Sequence, residues 1–81
     1  MGGNENFELF NNLTKYIEDK TYSSLEAKKI NNEYYLIINL PEKSVVYVNR
    51  FGKRKKYQHL WQITNWLKEK FDIPKDELII S

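Results

Sequence analysis

The chain has 81 residues and no cysteine, with 41% apolar and 15% aromatic content and a formal net charge of +2. That length holds one domain with a single modest core, and the apolar fraction is too high for a disordered chain. The absence of cysteine excludes a disulfide framework and a thiolate metal site and suits a reducing, cytoplasmic setting, while no signal-peptide pattern or membrane-spanning apolar run is visible.

The charge is unevenly spread. Of 13 basic residues, five fall within residues 50–56 with no acidic one among them, leaving eight basic against eleven acidic residues elsewhere. One electropositive corner on a mildly acidic body fits local attraction to a polyanion.

Residues 1–3 read as a frayed or cloning-derived end, and residues 4–81 as a single domain. From Asn4 to Lys20, Leu9, Phe10, Leu13, Tyr16 and Ile17 recur at helical spacing, with Phe7 at the stripe's edge. Asn4 or Asn6 serves as N-cap, and Glu5 and Glu8 suit the positive first turn.

Three strands follow. Ser24 to Ile30 is joined by Asn31-Asn32, a pair tolerant of positive φ, to Glu33–Leu40, the strongest strand pattern in the chain. A three-residue turn at 41–43 leads to Ser44–Phe51. These turns pair Leu25 with Ile38, Ala27 with Leu36, Ile38 with Val46 and Leu36 with Val48. Leu25, Ala27, Leu36, Ile38, Val46 and Val48 then share one face with Tyr34 and Leu40, under the helices. The opposite face carries Ile30, Tyr35, Ile37, Val45, Tyr47 and Phe51, too apolar to stand in water. Either the C-terminal Leu78-Ile79-Ile80 or a helix covers it, or it meets a partner or a second copy. Tyr35, Ile37, Tyr47 and Phe51 are its candidate partner-binding residues, and an exposed Tyr35 and Tyr47 would also serve as stacking platforms for bases.

A second helix is expected over Tyr57–Phe71, with Leu60, Ile63, Leu67 and Phe71 on its core stripe and Trp61 and Trp66 as lids on its shoulders. Lys53, Arg54, Lys55 and Lys56 would crowd its start, where cations are disfavoured by roughly 0.3–1 kcal/mol each and only Gly52 could cap. A broken local rule points to a site; the plainer alternative is a solvated lysine-rich loop. Asp72-Ile73-Pro74 stops the helix, and Glu77–Ile80 could add an edge strand. The expected fold class is therefore α+β: α-β-β-β-α order, a three-stranded antiparallel meander with helices on one face, and a short C-terminal edge strand.

No enzyme, cofactor or metal is expected. His59 stands alone, and Gly52 is the single glycine beyond the N-terminus, so neither a triad nor a phosphate loop can be assembled. Across residues 5–71 the element order and Lys53 to Lys56 resemble the double-stranded-RNA-binding domain. The resemblance implies lysines gripping phosphates from the start of the last helix. The chain departs from that family in its Asn31-Asn32 hairpin loop and in the bulky Leu60, Trp61 and Trp66 of the last helix. The reading favoured is a nucleic-acid-binding module, DNA or RNA, with Arg50, Lys53, Arg54, Lys55 and Lys56 on phosphates. The alternative is a small adaptor or inhibitor of the kind mobile elements encode. It would dock its sheet face or basic cluster on a protein with an acidic surface. No membrane partner is expected, and a homodimer through the sheet face is a further arrangement.

Overall fold

The structure, a computed structural model, describes residues 2–81, with side chains from Leu9 onward. The elements are α1 (Gly2–Asp19), β1 (Ser24–Ile30), β2 (Glu33–Asn39), β3 (Ser44–Val46), α2 (Leu60–Phe71), a 3-10 turn (Lys75–Glu77) and β4 (Leu78–Ile80). They form the expected α+β arrangement, with the sheet in the order β3-β2-β1-β4. The radius of gyration of 12.2 Å is close to the roughly 12 Å of one compact domain of this length.

α1 already includes Asn4 and Asn6, so neither stands at the expected N-cap; their side chains, with those of Glu5, Phe7 and Glu8, lie outside the described residues. Leu13 and Ile17 are fully buried, with Phe10 and Tyr16 packed beside them, whereas Leu9 is exposed. In α2 the buried pair is Ile63 and Leu67. Both pairs meet Leu25, Ala27, Leu36 and Ile38 in one cluster, so the two helices lie on the same face of the sheet.

The β1–β2 ladder has the expected register, Leu25 opposite Ile38 and Ala27 opposite Leu36. Asn31 and Asn32 sit at φ 53° and 66°, the left-handed pair of a type I′ turn whose twist matches that of the strands. The β2–β3 register differs from expectation by one residue. Leu40 N–H donates to Lys43 O (2.7 Å), so the turn holds only Pro41 and Glu42, and Ile38 pairs with Val45 and Ile37 with Val46. A one-residue slip sends every side chain to the other face. Val45 and Tyr47 therefore turn toward the core and Val46 away from it. Neither Pro41 nor Glu42 has positive φ, so this is not a primed turn. The strand expected over Ser44–Phe51 is only Ser44–Val46, because after one more hydrogen bond from Tyr47 to Leu36 the chain leaves the sheet.

β4 runs parallel to β1, with Leu78 beside Leu25 and Ile79 beside Glu26. The C-terminus thus widens the sheet instead of folding over its outer face. That face carries Ile30, Tyr35, Ile37, Val46 and Ile79, and among the described residues no helix packs on it. Its polar border is tied down by Asn39 Nδ2 donating to Ser24 Oγ (3.0 Å) and Ser81 Oγ donating to Glu26 (2.6 Å). The Ser81 hydrogen bond holds the Glu26 carboxyl below its usual value.

The turn provides a direct test of the register. Asn32→Gly relieves the remaining cost of a side chain at positive φ and is expected to stabilise the fold by about 0.5–1 kcal/mol. Urea unfolding would register this as a higher midpoint with an unchanged slope; a lower midpoint would mean that the turn is not type I′.

Candidate functional site

The basic residues occupy an excursion from the edge of the sheet. β2 is still paired at Tyr47, whose N–H donates to Leu36 O (2.8 Å), and is paired again at Tyr57, which exchanges hydrogen bonds with Tyr34 (2.8 and 2.9 Å). Between these points the chain folds back on itself. Lys55 N–H donates to Tyr47 O (3.1 Å) and Asn49 N–H to Lys53 O (2.8 Å), with a bridge between Val48 and Arg54. At the tip, Gly52 takes φ 81°, a conformation that an ordinary side chain disfavours. Asn49 locks the loop: its Oδ1 accepts the N–H groups of Phe51 (2.9 Å) and Lys53 (3.1 Å).

This geometry corrects the expected placement of Lys53, Arg54, Lys55 and Lys56. They are not at the start of a helix, because α2 begins at Leu60 rather than Tyr57. Tyr57 is held extended by Tyr34, and Gln62 Oε1 caps the following turn by accepting from Gln58 and His59 N–H, both at 3.0 Å. This is the side-chain half of a capping box. The lysine start shared with double-stranded-RNA-binding domains is therefore absent from the structure, although the element order is present.

The loop instead forms one wall of a groove of about 630 Å³ that reaches the C-terminal half of α2. α1 supplies Phe10, Thr14 and Glu18; the loop supplies Asn49, Arg50, Phe51 and Lys55; α2 supplies Trp66, Lys70 and Phe71. Tyr47 lies at its base. Rings connect across the floor, Phe10 to Tyr47 at 6.0 Å, Tyr47 to Trp66 at 5.2 Å and Trp66 to Phe71 at 5.1 Å. Thr14 Oγ1 donates to Phe10 O (2.8 Å), so Tyr47 is the donor in the 2.9 Å hydroxyl pair it makes with Thr14.

Three cations, Arg50, Lys55 and Lys70, border the groove against one carboxylate, Glu18. Lys53, Arg54 and Lys56 are exposed on the same loop but do not border it; for Arg54 and Lys56 this follows from a near-extended run that sends alternate side chains to opposite sides, while Lys53 lies in the bend at the loop tip. Lys70 was not among the expected site residues. Its signal in the sequence was its place one helical turn after Trp66, hence on the same face. Among the described residues the one ion pair is Lys68–Asp72 (2.9 Å), so none of the groove cations is neutralised by a partner there. Lys68 also holds the Asp72 carboxyl below its usual value.

The expected partner-binding set divides. Tyr35 and Ile37 lie half-buried on the outer sheet face. Tyr47 is 3% exposed, a correction that follows from the register slip and removes it as an outer-face platform. Phe51 is 68% exposed, but on the loop beside Arg50 rather than on the sheet. Trp66 covers the core as expected, whereas Trp61 is 59% exposed and stacks on His59 (6.1 Å, 10° between planes). Among the described residues no cluster of His, Asp or Glu is placed to hold a metal ion, and no helix is long and apolar enough to cross a membrane. The chain matches no family model, no curated protein and no solved structure.

Burial pushes the Tyr57 phenol far above its ordinary value of 10.0, with a contribution from neighbouring Tyr47. Tyr47 is itself raised by burial, an effect partly offset by the Thr14 hydrogen bond. A raised folded-state value means that the folded chain keeps a proton that the unfolded chain releases. The stabilisation is complete below pH 10 and is lost as pH rises beyond it. Urea unfolding between about pH 8 and about pH 11 should show stability falling above pH 10, and Tyr57→Phe should make the fall shallower. Parallel profiles for the two proteins would show that Tyr57 ionises normally.

Proposed function

We propose that the chain is a non-enzymatic nucleic-acid-binding module that holds phosphates with Arg50, Lys55 and Lys70 at the groove. Lys53, Arg54 and Lys56 extend the positive field around it. The observation that carries this reading is the gathering of three cations without ion-pair partners among the described residues, from two separate elements, over an aromatic floor. Cations on an ordinary solvated surface scatter; here a loop closed by its own hydrogen bonds sets Arg50 and Lys55 on the border of a groove that Lys70 also lines. Contacts of this kind release counterions, so affinity must fall with salt.

Binding of a labelled mixed-sequence oligonucleotide, followed by fluorescence anisotropy across a salt series, tests the reading. Arg50→Ala with Lys55→Ala should weaken binding to all sequences alike and flatten the plot of log K against log salt by about 1–2 units. Glu18→Gln, which removes the one groove carboxylate, should strengthen binding. Affinity indifferent to salt and to these changes would overturn the proposal.

A second reading rests on a different observation. The outer sheet face, with Tyr35, Ile37, Val46 and Ile79 and no helix over it among the described residues, is the kind of apolar surface through which small adaptors or inhibitors dock on a protein. On that reading, complexes captured by the tagged chain survive nuclease treatment and disappear in Ile37→Asp, a substitution at a half-buried position outside the core. Loss of capture on nuclease treatment alone would dismiss it.

A further inference from the structure

Resting on the nucleic-acid reading, we infer that the groove takes a single strand rather than a duplex, with phosphates on Arg50, Lys55 and Lys70 and a base stacked on Phe51. The positive groups ring a concavity. Its volume of about 630 Å³ falls in the range, roughly 300–1,000 Å³, that seats a small-molecule-sized ligand. A duplex presents its phosphates on a broad convex surface. It could touch the rim cations, but it would leave the floor of Tyr47, Trp66 and Phe71 empty. A single strand can lower a sugar and an unstacked base into the groove while its backbone follows the cations.

The helices argue the same way. Duplex readers present a helix or a β-ribbon to a groove, with basic and polar side chains reaching base edges or crossing to phosphates. On α2 the exposed positions are Trp61, Asn65, Lys68, Glu69 and Lys70, and Lys68 is engaged by Asp72. α1 exposes Lys15 together with Glu18 and Asp19. Neither carries a positive row.

Phe51 supplies the remaining observation. A phenylalanine ring 68% exposed, next to an arginine and bordering the groove, is costly to leave in water, and folding alone does not require it there. Its backbone is fixed by Asn49, so the ring is presented from a rigid loop. Stacking on such a ring tolerates any base, because every base has a π-face.

The test compares short labelled single strands, DNA and RNA, with the duplex of the same sequence and with an abasic strand of the same length. Wild type and Phe51→Ala are measured, their folding being checked by thermal melting. The single strand is expected to bind at least tenfold more tightly than the duplex. Phe51→Ala should weaken single-strand binding by roughly tenfold with an unchanged salt slope, and should leave the abasic strand's already weaker binding unaltered. Duplex binding equal to or tighter than single-strand binding, or an equal loss on the abasic strand, overturns the inference while the phosphate-binding reading stands. Absence of salt-dependent binding to any strand overturns both.

Discussion

The ring of Tyr47 is where the sheet, both helices and the basic loop meet. Just past β3, its N–H makes the last hydrogen bond to β2 before the loop, and its carbonyl accepts the N–H of Lys55, closing the loop. Its hydroxyl reaches Thr14 on α1, and its ring lies between Phe10 and Trp66. A phenol held in this way serves two ends: the ring joins the core while the hydroxyl keeps a polar partner, so burial leaves no unsatisfied group. The chain that follows Tyr47 leaves the sheet on the helix side, where Asn49, Arg50, Phe51 and Lys55 border a groove with α1 and α2.

How far the chain could be read in advance depends on how unambiguous each local pattern is. Asn31-Asn32 admits essentially one turn, and on β1 Leu25 and Ala27 alternate cleanly with Glu26 and Lys28, so the turn and one clear strand make the register of the first hairpin legible to the residue even though β2 is apolar at both parities. In the second hairpin, Pro41-Glu42-Lys43 accommodates a turn of two or three residues. Val45-Val46-Tyr47-Val48 is apolar at both parities, so hydrophobic alternation cannot decide the register. The slip that buried Tyr47 passed unseen for that reason. The start of α2 at Leu60 is hidden in the sequence for a different reason. Tyr57 is a competent helix residue by propensity, but a free strand edge at Tyr34 captured it, an instance of tertiary contact overriding local preference. The turn of Gln62 back to His59 was the one local sign of the true boundary.

Among the site residues, the basic cluster was visible as composition, but its supposed cost to the fold was not real. Lys53 to Lys56 stand before the helix, on a loop with its own hydrogen bonds, and oppose no helix dipole. The misplaced charge lies elsewhere. The last turn of α1 has no basic residue and carries Glu18 and Asp19, negative groups at the negative end of a helix. Glu18 borders the groove with Arg50, Lys55 and Lys70, whose field offsets that unfavourable position. The negative charge of Glu18 also contributes, after burial, to raising the Tyr47 phenol.

The setting of the groove also determines the kind of grip it can have. Many anion sites use backbone N–H groups at a helix start or in a turn. Here the groove runs along the side of α1 (Phe10, Thr14, Glu18) and meets the last turns of α2 (Trp66, Lys70, Phe71), and among the described residues no helix start borders it. The amides at the loop tip are already taken by Asn49. Attraction for an anion must therefore come from flexible side chains alone, three positive against one negative. Such a grip is long-ranged at low salt and strongly screened over a Debye length of about 8 Å at physiological ionic strength. It also lacks the fixed donors that distinguish one base from another. Aromatic surface is what the groove has to add, and stacking is the contribution that salt does not remove.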